Sequence, residues 1–172
     1  MMSQYQRLVE SEKAIAGDPY WSKPKGVDLR MTLVASLMLE GRVLQGLELV
    51  GRTHLDPREA DVSFSLIYLP TDSRRDAVQL ARIDWRPKTP HGNDHPRTPA
   101  ELLGDIEGSH HHSFPLNWSS SAGKPLRNLP IAEEIIPDYQ SVEELLDGVG
   151  KLFRISGAGS SLPRPWPKDL FS

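Results

Sequence analysis

The sequence has 172 residues, a mass of 19.2 kDa and 38% hydrophobic residues, which limits it to one compact domain or one domain with tails. Its 20 Lys and Arg residues against 23 Asp and Glu residues give a formal charge of -3, so bulk positive charge cannot hold it on nucleic acid. The absence of cysteine excludes disulfide bonds, thiolate metal sites and cysteine nucleophiles. No apolar stretch approaches the roughly 18 residues of a membrane span, and the N-terminus lacks the apolar core of a signal peptide. We therefore expect a cytoplasmic protein with no membrane partner.

The N-terminal stretch from Ser3 to Ala16 is predicted to form a short helix. Ser3 is followed three residues later by Gln6, as in a capping box, and Gly17 stands where a helix stop is expected. The apolar stripe of this segment is narrow, so the helix should lie on the surface of a larger fold.

Apolar and polar residues then alternate with the period of a β-strand in four consecutive segments. The connections between them are too short for crossover helices, which predicts an antiparallel meander. A fifth strand is predicted after a long proline-rich loop. The five predicted strands cover residues 27–37, 43–52, 61–69, 77–85 and 110–116.

Two further helices are predicted from their N-terminal signals. The first begins with Thr-Pro-Ala-Glu inside the long loop and should run for about two turns over residues 98–106. The second begins with the capping box Ser-Val-Glu-Glu and carries an apolar stripe over residues 141–153, which should pack across the sheet. Gly148 and Gly150 each weaken this helix by about 1 kcal/mol relative to alanine, and close packing against the sheet is a physical reason for both.

These elements predict an α+β fold with a mainly antiparallel sheet of about five strands and flanking helices. Residues 1–155 form the single predicted domain. Residues 156–172 are rich in Gly, Ser and Pro and are predicted to be a flexible tail.

All six histidines lie within residues 54–112, and five of them lie within residues 91–112. On the predicted strand 77–85, Arg82 and Asp84 point to one face, and on the fifth strand His110 and His112 share one face. If the chain returns beside strand 77–85 after the long loop, these four side chains converge at one end of the sheet. The loop would then lower His91 and His95 over them.

An arginine, a carboxylate and several imidazoles are the parts that a metal-free ribonuclease needs. One imidazole can take the proton of the 2'-hydroxyl and another can protonate the leaving 5' oxygen, while the carboxylate fixes a tautomer and the arginine holds the phosphate. Residues 74–97 contain six basic and three acidic residues, a local positive excess that would draw a phosphate. The predicted catalytic residues are Arg82, Asp84, His91, His110 and His112, and the predicted substrate-binding residues are Arg86, Asn93 and His95.

Other interpretations of the same residues stay open. The histidines are also compatible with a solvated polar loop. As metal ligands, His110 and His112 present two imidazoles on one strand face, and Asp84 or Asp94 could complete a zinc-type site. The spacing matches no tight zinc signature, so the leading expectation is an enzyme without a metal or other cofactor.

The order of motifs resembles an uncharacterised family of small prokaryotic and phage-borne proteins. The motifs are R-x-D at 82–84, H-x-N at 91–93 and I-x-G-x-H-x-H at 106–112, followed by a short aspartate-led helix near 139–155. The resemblance covers roughly residues 60–155, and some relatives of this broad type are regarded as toxins of toxin and antitoxin pairs. It implies one site shared by Arg82, Asp84, His91, Asn93, His110 and His112, without an established reaction.

The leading hypothesis from the sequence is therefore a toxin-like, metal-independent endoribonuclease. Its expected partners are RNA and a protein, either an antitoxin or a host protein. Two alternatives remain: a non-catalytic phage or mobile-element inhibitor that binds a host protein, and a metal-dependent enzyme with a site made of histidine and aspartate.

Overall fold

The computed structural model describes residues 2–167 and is built around one eight-stranded sheet. The strands of this sheet lie in the order β11-β8-β5-β4-β3-β2-β1-β12, and all neighbours pair antiparallel except β1 and β12, which pair parallel. The members are β1 (Lys13–Ile15), β2 (Arg30–Leu39), β3 (Arg42–His54), β4 (Val62–Tyr68), β5 (Val78–Trp85), β8 (His110–His112), β11 (Glu133–Glu134) and β12 (Ile155–Ser156).

Within residues 2–167, two small hairpins and four α-helices complete the fold. The hairpins join β6 (His91–Asn93) to β7 (Gly104–Ile106) and β9 (Trp118–Ser119) to β10 (Lys124–Pro125). The helices are α1 (Gln4–Glu10), α2 (Phe114–Asn117), α3 (Val142–Phe153) and α4 (Ala158–Ser161), with 3-10 turns at Arg74–Asp76 and Ala100–Leu102. The predicted α+β class is confirmed, but the sheet has eight strands rather than about five.

The central strands have one apolar and one polar face because their residues alternate in character. On the apolar face, Leu33, Phe64 and Ile83 lie in one cross-strand row and are almost fully buried. Gly51 completes that row, and the rings of Trp21 and Phe64 occupy the space that a side chain at this position would need.

Helix α3 buries its apolar stripe in the same core as these strands. The side chain of Ser141 accepts a hydrogen bond from the Glu144 amide, which confirms the predicted N-cap. The expected reason for the glycines holds for only one of them. A Cβ at Gly150 would lie 3.0 Å from the Ile155 carbonyl oxygen in strand β12 and 3.0 Å from the Ala158 side chain, so this glycine does allow close packing against the sheet edge. A Cβ at Gly148 would instead lie 2.3 Å from the ring of Tyr139, which is not part of the sheet.

The two other predicted helices are shorter than expected. The N-terminal helix ends at Glu10, because Ser11 adopts an extended conformation and Lys13 donates hydrogen bonds to the last carbonyl groups before entering β1. The predicted helix over residues 98–106 is only a 3-10 turn, because Leu103, with φ of −62° and ψ of 139°, is already extended and leads the chain into β7.

The predicted flexible tail is wrong for the residues that the structure describes. Ser156 belongs to β12, α4 follows it, and Leu162 and Trp166 are buried in the core. The indole nitrogen of Trp166 donates a hydrogen bond to the His54 carbonyl. Residues 168–172 of the predicted tail lie outside the described part of the chain.

Candidate functional site

The polar face of the sheet, on which Arg52, Ser63, Asp84 and His110 form one cross-strand row, carries the candidate site. The pairing of β5 with β8 sets Asp84 opposite His110 and Arg82 opposite His112. These four side chains point to the same face because they alternate with Ile83 and His111 along the two strands. The convergence expected from the sequence is therefore present in the structure.

The four side chains are in direct contact. The Nε of Arg82 donates a hydrogen bond to Asp84 Oδ2 over 2.8 Å, and the Nη2 of Arg82 lies 2.6 Å from His112 Nε2. The same Asp84 oxygen lies 3.1 Å from His112 Nε2 and 3.3 Å from His110 Nε2. One carboxylate oxygen thus faces a guanidinium and two imidazoles.

His91 approaches His110 and His112 from hairpin β6–β7. Its ring centroid lies 4.7 Å from that of His112 and 5.1 Å from that of His110. One ring nitrogen from each of these three residues lies within 4.8 Å of the other two. We call His91, His110 and His112 the histidine cluster.

Each imidazole of the cluster has its second nitrogen on a backbone carbonyl oxygen. His110 Nδ1 lies 2.9 Å from Gly108 O, His112 Nδ1 lies 2.5 Å from Leu129 O, and His91 Nε2 lies 2.9 Å from Pro130 O. A carbonyl oxygen only accepts hydrogen bonds, so these outer nitrogens carry protons. In a neutral ring the inner nitrogen then holds a lone pair.

The segment of residues 129–132 supplies two of these carbonyls and is held by buried amide side chains. Asn93 donates to the carbonyls of Leu102 and Ala132 and accepts from the Ala132 amide. Asn117 makes the equivalent donor and acceptor bonds with Ile131. Asn93 was expected to bind substrate, but its amide is fully engaged and 1% exposed, so its role in the structure is to fix this segment.

Burial divides the site into an inner and an outer part. His110 and His112 are buried, whereas the side chains of Arg82 and Asp84 are 23% and 19% exposed and His91 is half-buried. Burial also lowers the pKa of His112 to about 4, against the opposing effect of Asp84. Burial by itself would raise the pKa of Asp84, but its contacts with His110, His112 and Arg82 outweigh this and hold the carboxyl well below its usual range.

Two other predicted substrate-binding residues are not part of the cluster. The guanidinium of Arg86 lies 4.4 Å above the Trp85 ring and donates to the carbonyls of Glu59 and Gln140, so it holds chain segments together. His95 accepts a hydrogen bond from the Arg97 amide within its own loop. Structural contacts therefore account for both residues.

The sequence reasoning missed a groove beside Asp84 on the polar face. This cavity has a volume of about 250 Å³, and its lining includes Arg30, Arg52, His54 and Ser63. The alternation within β3 places Arg52 on the same face as Asp84, which is the signal that could have revealed it. No sequence pattern indicates that the carbonyl groups of residues 129 and 130 face the histidines.

Comparison with protein-family models, with curated proteins and with solved structures gives no match. Among residues 2–167, no helix is both long and apolar enough to cross a membrane. The interpretation of the site accordingly depends on its own geometry.

Proposed function

We propose that this protein is an endoribonuclease of the toxin type, with its reaction centre at Arg82, Asp84 and the histidine cluster. The observation that carries the proposal is the contact of one guanidinium and two imidazoles with one carboxylate on the polar face, with a third imidazole, His91, packed against those two. Such a set can bind a phosphate and move protons near neutral pH.

The partly exposed side chains are the ones that can reach a phosphodiester. Arg82 would bind the phosphate through the guanidinium N–H groups that its contacts with Asp84 and His112 leave over, and would stabilise the negative charge that develops on it. His91 is the half-buried imidazole, and its Nδ1 is the nitrogen left to accept the proton of a 2'-hydroxyl, since Nε2 faces Pro130 O. The 2'-oxygen then bonds to the phosphorus as the bond to the 5' oxygen breaks, and the leaving 5' oxygen takes its proton from water. Asp84 orients Arg82 through their hydrogen bond.

The geometry does not favour His110 and His112 as the acid and base pair that the sequence suggested. Both are too buried to contact a polymer directly, and the lowered pKa of His112 leaves it neutral at pH 7 and therefore unable to donate a proton to a leaving group efficiently. Their contacts with Asp84 instead make them positioning residues.

The groove supports an anionic polymer as substrate. Arg52 is exposed and lies two strands from Asp84 in the same row, a backbone separation of about 10 Å at the usual strand spacing. The cavity is smaller than the roughly 300 Å³ or more of a typical small-ligand pocket, so it suits one unit of a larger molecule. A strand of RNA lying along the polar face would place one phosphate at Arg82 and another near Arg52.

Cleavage of single-stranded RNA by the purified protein tests this proposal. We expect Arg82→Gln and Asp84→Asn each to reduce the cleavage rate by about 100-fold or more. Arg82→Gln removes the guanidinium that binds the phosphate, and Asp84→Asn removes the carboxylate that orients this guanidinium. His95→Ala is the matched control, since His95 lies outside the cluster, and it should cleave at the wild-type rate. Expression in a bacterial host should stop growth for the wild type and the control only.

Two results would contradict the proposal. The first is a folded wild-type protein that cleaves no RNA, and a co-purifying host protein in that case would identify the non-catalytic inhibitor instead. The second is full activity of both Arg82→Gln and Asp84→Asn.

A further inference from the structure

We infer that the histidine cluster binds one divalent metal ion of the zinc class, with Asp84 as a fourth ligand. This inference deepens the proposed function, on which it rests for the reaction but not for the binding of the ion. A bound ion explains why two imidazoles of a reaction centre are buried out of reach of a polymer, because metal ligands need not touch the substrate.

The first argument is the direction of the ring nitrogens. All three outer nitrogens face backbone carbonyl oxygens, which fixes the orientation of the rings, and one ring nitrogen from each residue lies within 4.8 Å of the other two. Metal-binding histidines characteristically use the second nitrogen in this way, because a hydrogen bond to a carbonyl or carboxylate sets the tautomer and the ring orientation. The buried amides of Asn93 and Asn117 bond the adjacent residues Ala132 and Ile131 and so hold the segment that carries two of these carbonyls.

The second argument is the charge at the centre of the cluster. The inner nitrogen of His110 faces the Asp84 carboxylate oxygen at 3.3 Å, although its outer nitrogen already donates to Gly108 O. Two acceptors at this distance repel each other unless a positive charge lies close to both, and a metal ion bound by both atoms would supply that charge. The guanidinium of Arg82 also supplies a positive charge. It lies beside His112, and its contacts are with His112 and Asp84.

The third argument is the spacing of the donor atoms. A tetrahedral zinc ion with bonds of about 2.0–2.1 Å keeps its ligand atoms about 3.3 Å apart. Asp84 Oδ2 lies 3.1 Å and 3.3 Å from the inner nitrogens of His112 and His110, so this part of the set already has that spacing. His91 contributes the third imidazole, with one ring nitrogen within 4.8 Å of a ring nitrogen of His110 and of His112.

The identity of the donors selects the class of ion. Three imidazoles and one carboxylate suit Zn²⁺ and similar transition-metal ions, whereas Mg²⁺ and Ca²⁺ prefer sites made of oxygen atoms. An ion here would take up the lone pair of His91 and supply a bound hydroxide as the base for cleavage. Arg82 would have to leave His112 and would then be free to bind a phosphate.

Titration of the metal-free protein with Co²⁺ and with Zn²⁺ tests the inference without any activity measurement. We expect one equivalent of Co²⁺ to produce the visible absorption bands of tetrahedral coordination, and one equivalent of Zn²⁺ to remove them. His91→Ala should weaken binding by about 100-fold or more, while Asp84→Asn should weaken it by at least about tenfold. His95→Ala and His111→Ala are matched controls that remove histidines outside the cluster and should bind like the wild type.

His91→Ala is the main variant because His91 lies on a hairpin outside the large sheet, whereas changes at His110 or His112 risk unfolding the sheet. The circular dichroism of each variant checks the fold. Absence of stoichiometric binding by the folded wild type would overturn the inference, as would binding that survives His91→Ala and Asp84→Asn.

Cleavage measured with and without EDTA separates this inference from the proposed function. RNA cleavage by a protein that binds no ion would support the endoribonuclease function and overturn the metal site. Stoichiometric binding without any RNA cleavage would support the metal site and overturn the proposed function.

Discussion

Asn93 shows how one buried side chain supports the site without touching its reacting groups. Its amide closes three hydrogen bonds to the backbone of Leu102 and Ala132, and its burial leaves no water to replace them. The segment that it holds includes the carbonyl of Pro130, which faces His91. By fixing this segment, Asn93 helps to fix the orientation of the His91 imidazole.

Replacement of Asn93 by alanine should destabilise the protein by about 2–4 kcal/mol, because each buried backbone group left without a partner costs roughly 1–3 kcal/mol. The free energy of unfolding in urea measures this change. Asn128→Gly is the matched control: Asn128 is exposed with φ of 61°, which glycine adopts readily, so its change should stay within about 0.5 kcal/mol. A change at Asn93 no larger than that of the control would show that its hydrogen bonds are dispensable.

At this scale, the sequence predicts side chains on strands better than side chains on loops. Arg82, Asp84, His110 and His112 could be assigned to one face because strand residues alternate between two faces. Asn93 and His95 lie in an irregular, proline-rich stretch, where no period indicates which direction a side chain takes. The structure buries the first and places the second in a local turn.

Among the elements, α3 shows the competition between local preference and packing. Glycine within a helix costs about 1 kcal/mol relative to alanine, so propensity alone predicts that Gly148→Ala stabilises the protein. Packing predicts the opposite, because the added Cβ would lie 2.3 Å from the Tyr139 ring. The main chain of Tyr139 cannot move away freely, since its carbonyl accepts a hydrogen bond from the Trp85 indole.

We expect packing to win, with Gly148→Ala destabilising the protein by about 1–3 kcal/mol. Thermal or urea unfolding measures the effect. Lys151→Ala changes an exposed position of the same helix and should stay within about 0.5 kcal/mol of the wild type. A Gly148→Ala variant more stable than the wild type would mean that the Tyr139 ring moves aside at little cost in free energy.

The elements that were mispredicted are short or depend on contacts distant in sequence. Strands β1, β11 and β12 contain only two or three residues each, so no alternation can be read from them. The helix expected over residues 98–106 does not begin as its start signals predict, since Pro99 rather than Thr98 is the N-cap and no side chain caps the turn, and it ends where Leu103 becomes extended. By contrast, α3 is long and strongly amphipathic, and its predicted N-cap is confirmed.

At the scale of the whole molecule, the two ends of the described chain meet. Strand β1 near the N-terminus pairs with β12 near the C-terminus, and Trp166 packs into the core that the central strands form. Composition predicted a flexible tail because Gly, Ser and Pro weaken regular structure. Composition cannot show that a single tryptophan in such a segment finds a buried position and a hydrogen-bond partner at His54.

The antiparallel order of the central strands was predictable because their connections are short, and this order also brings the site together. Strand β8 pairs with β5 only after the long loop that contains hairpin β6–β7. The same loop brings His91 next to His110 and His112. The sequence therefore indicated which residues meet. It did not indicate that His110 and His112 are buried, and the proposal that they are positioning residues depends on that burial.

The central claim is that the histidine cluster turns its outer nitrogens to backbone carbonyls and its inner nitrogens to one shared point. Two-bond ¹H–¹⁵N correlation spectra of the histidine rings, recorded near pH 7.5 before and after one equivalent of Zn²⁺, test it most directly. We predict protons on Nδ1 of His110 and His112 and on Nε2 of His91 throughout, and a change in the ¹⁵N shifts of the three opposite nitrogens when Zn²⁺ is added. An unprotonated Nδ1 on His110 or His112, or inner nitrogens that do not respond to Zn²⁺, would contradict the account.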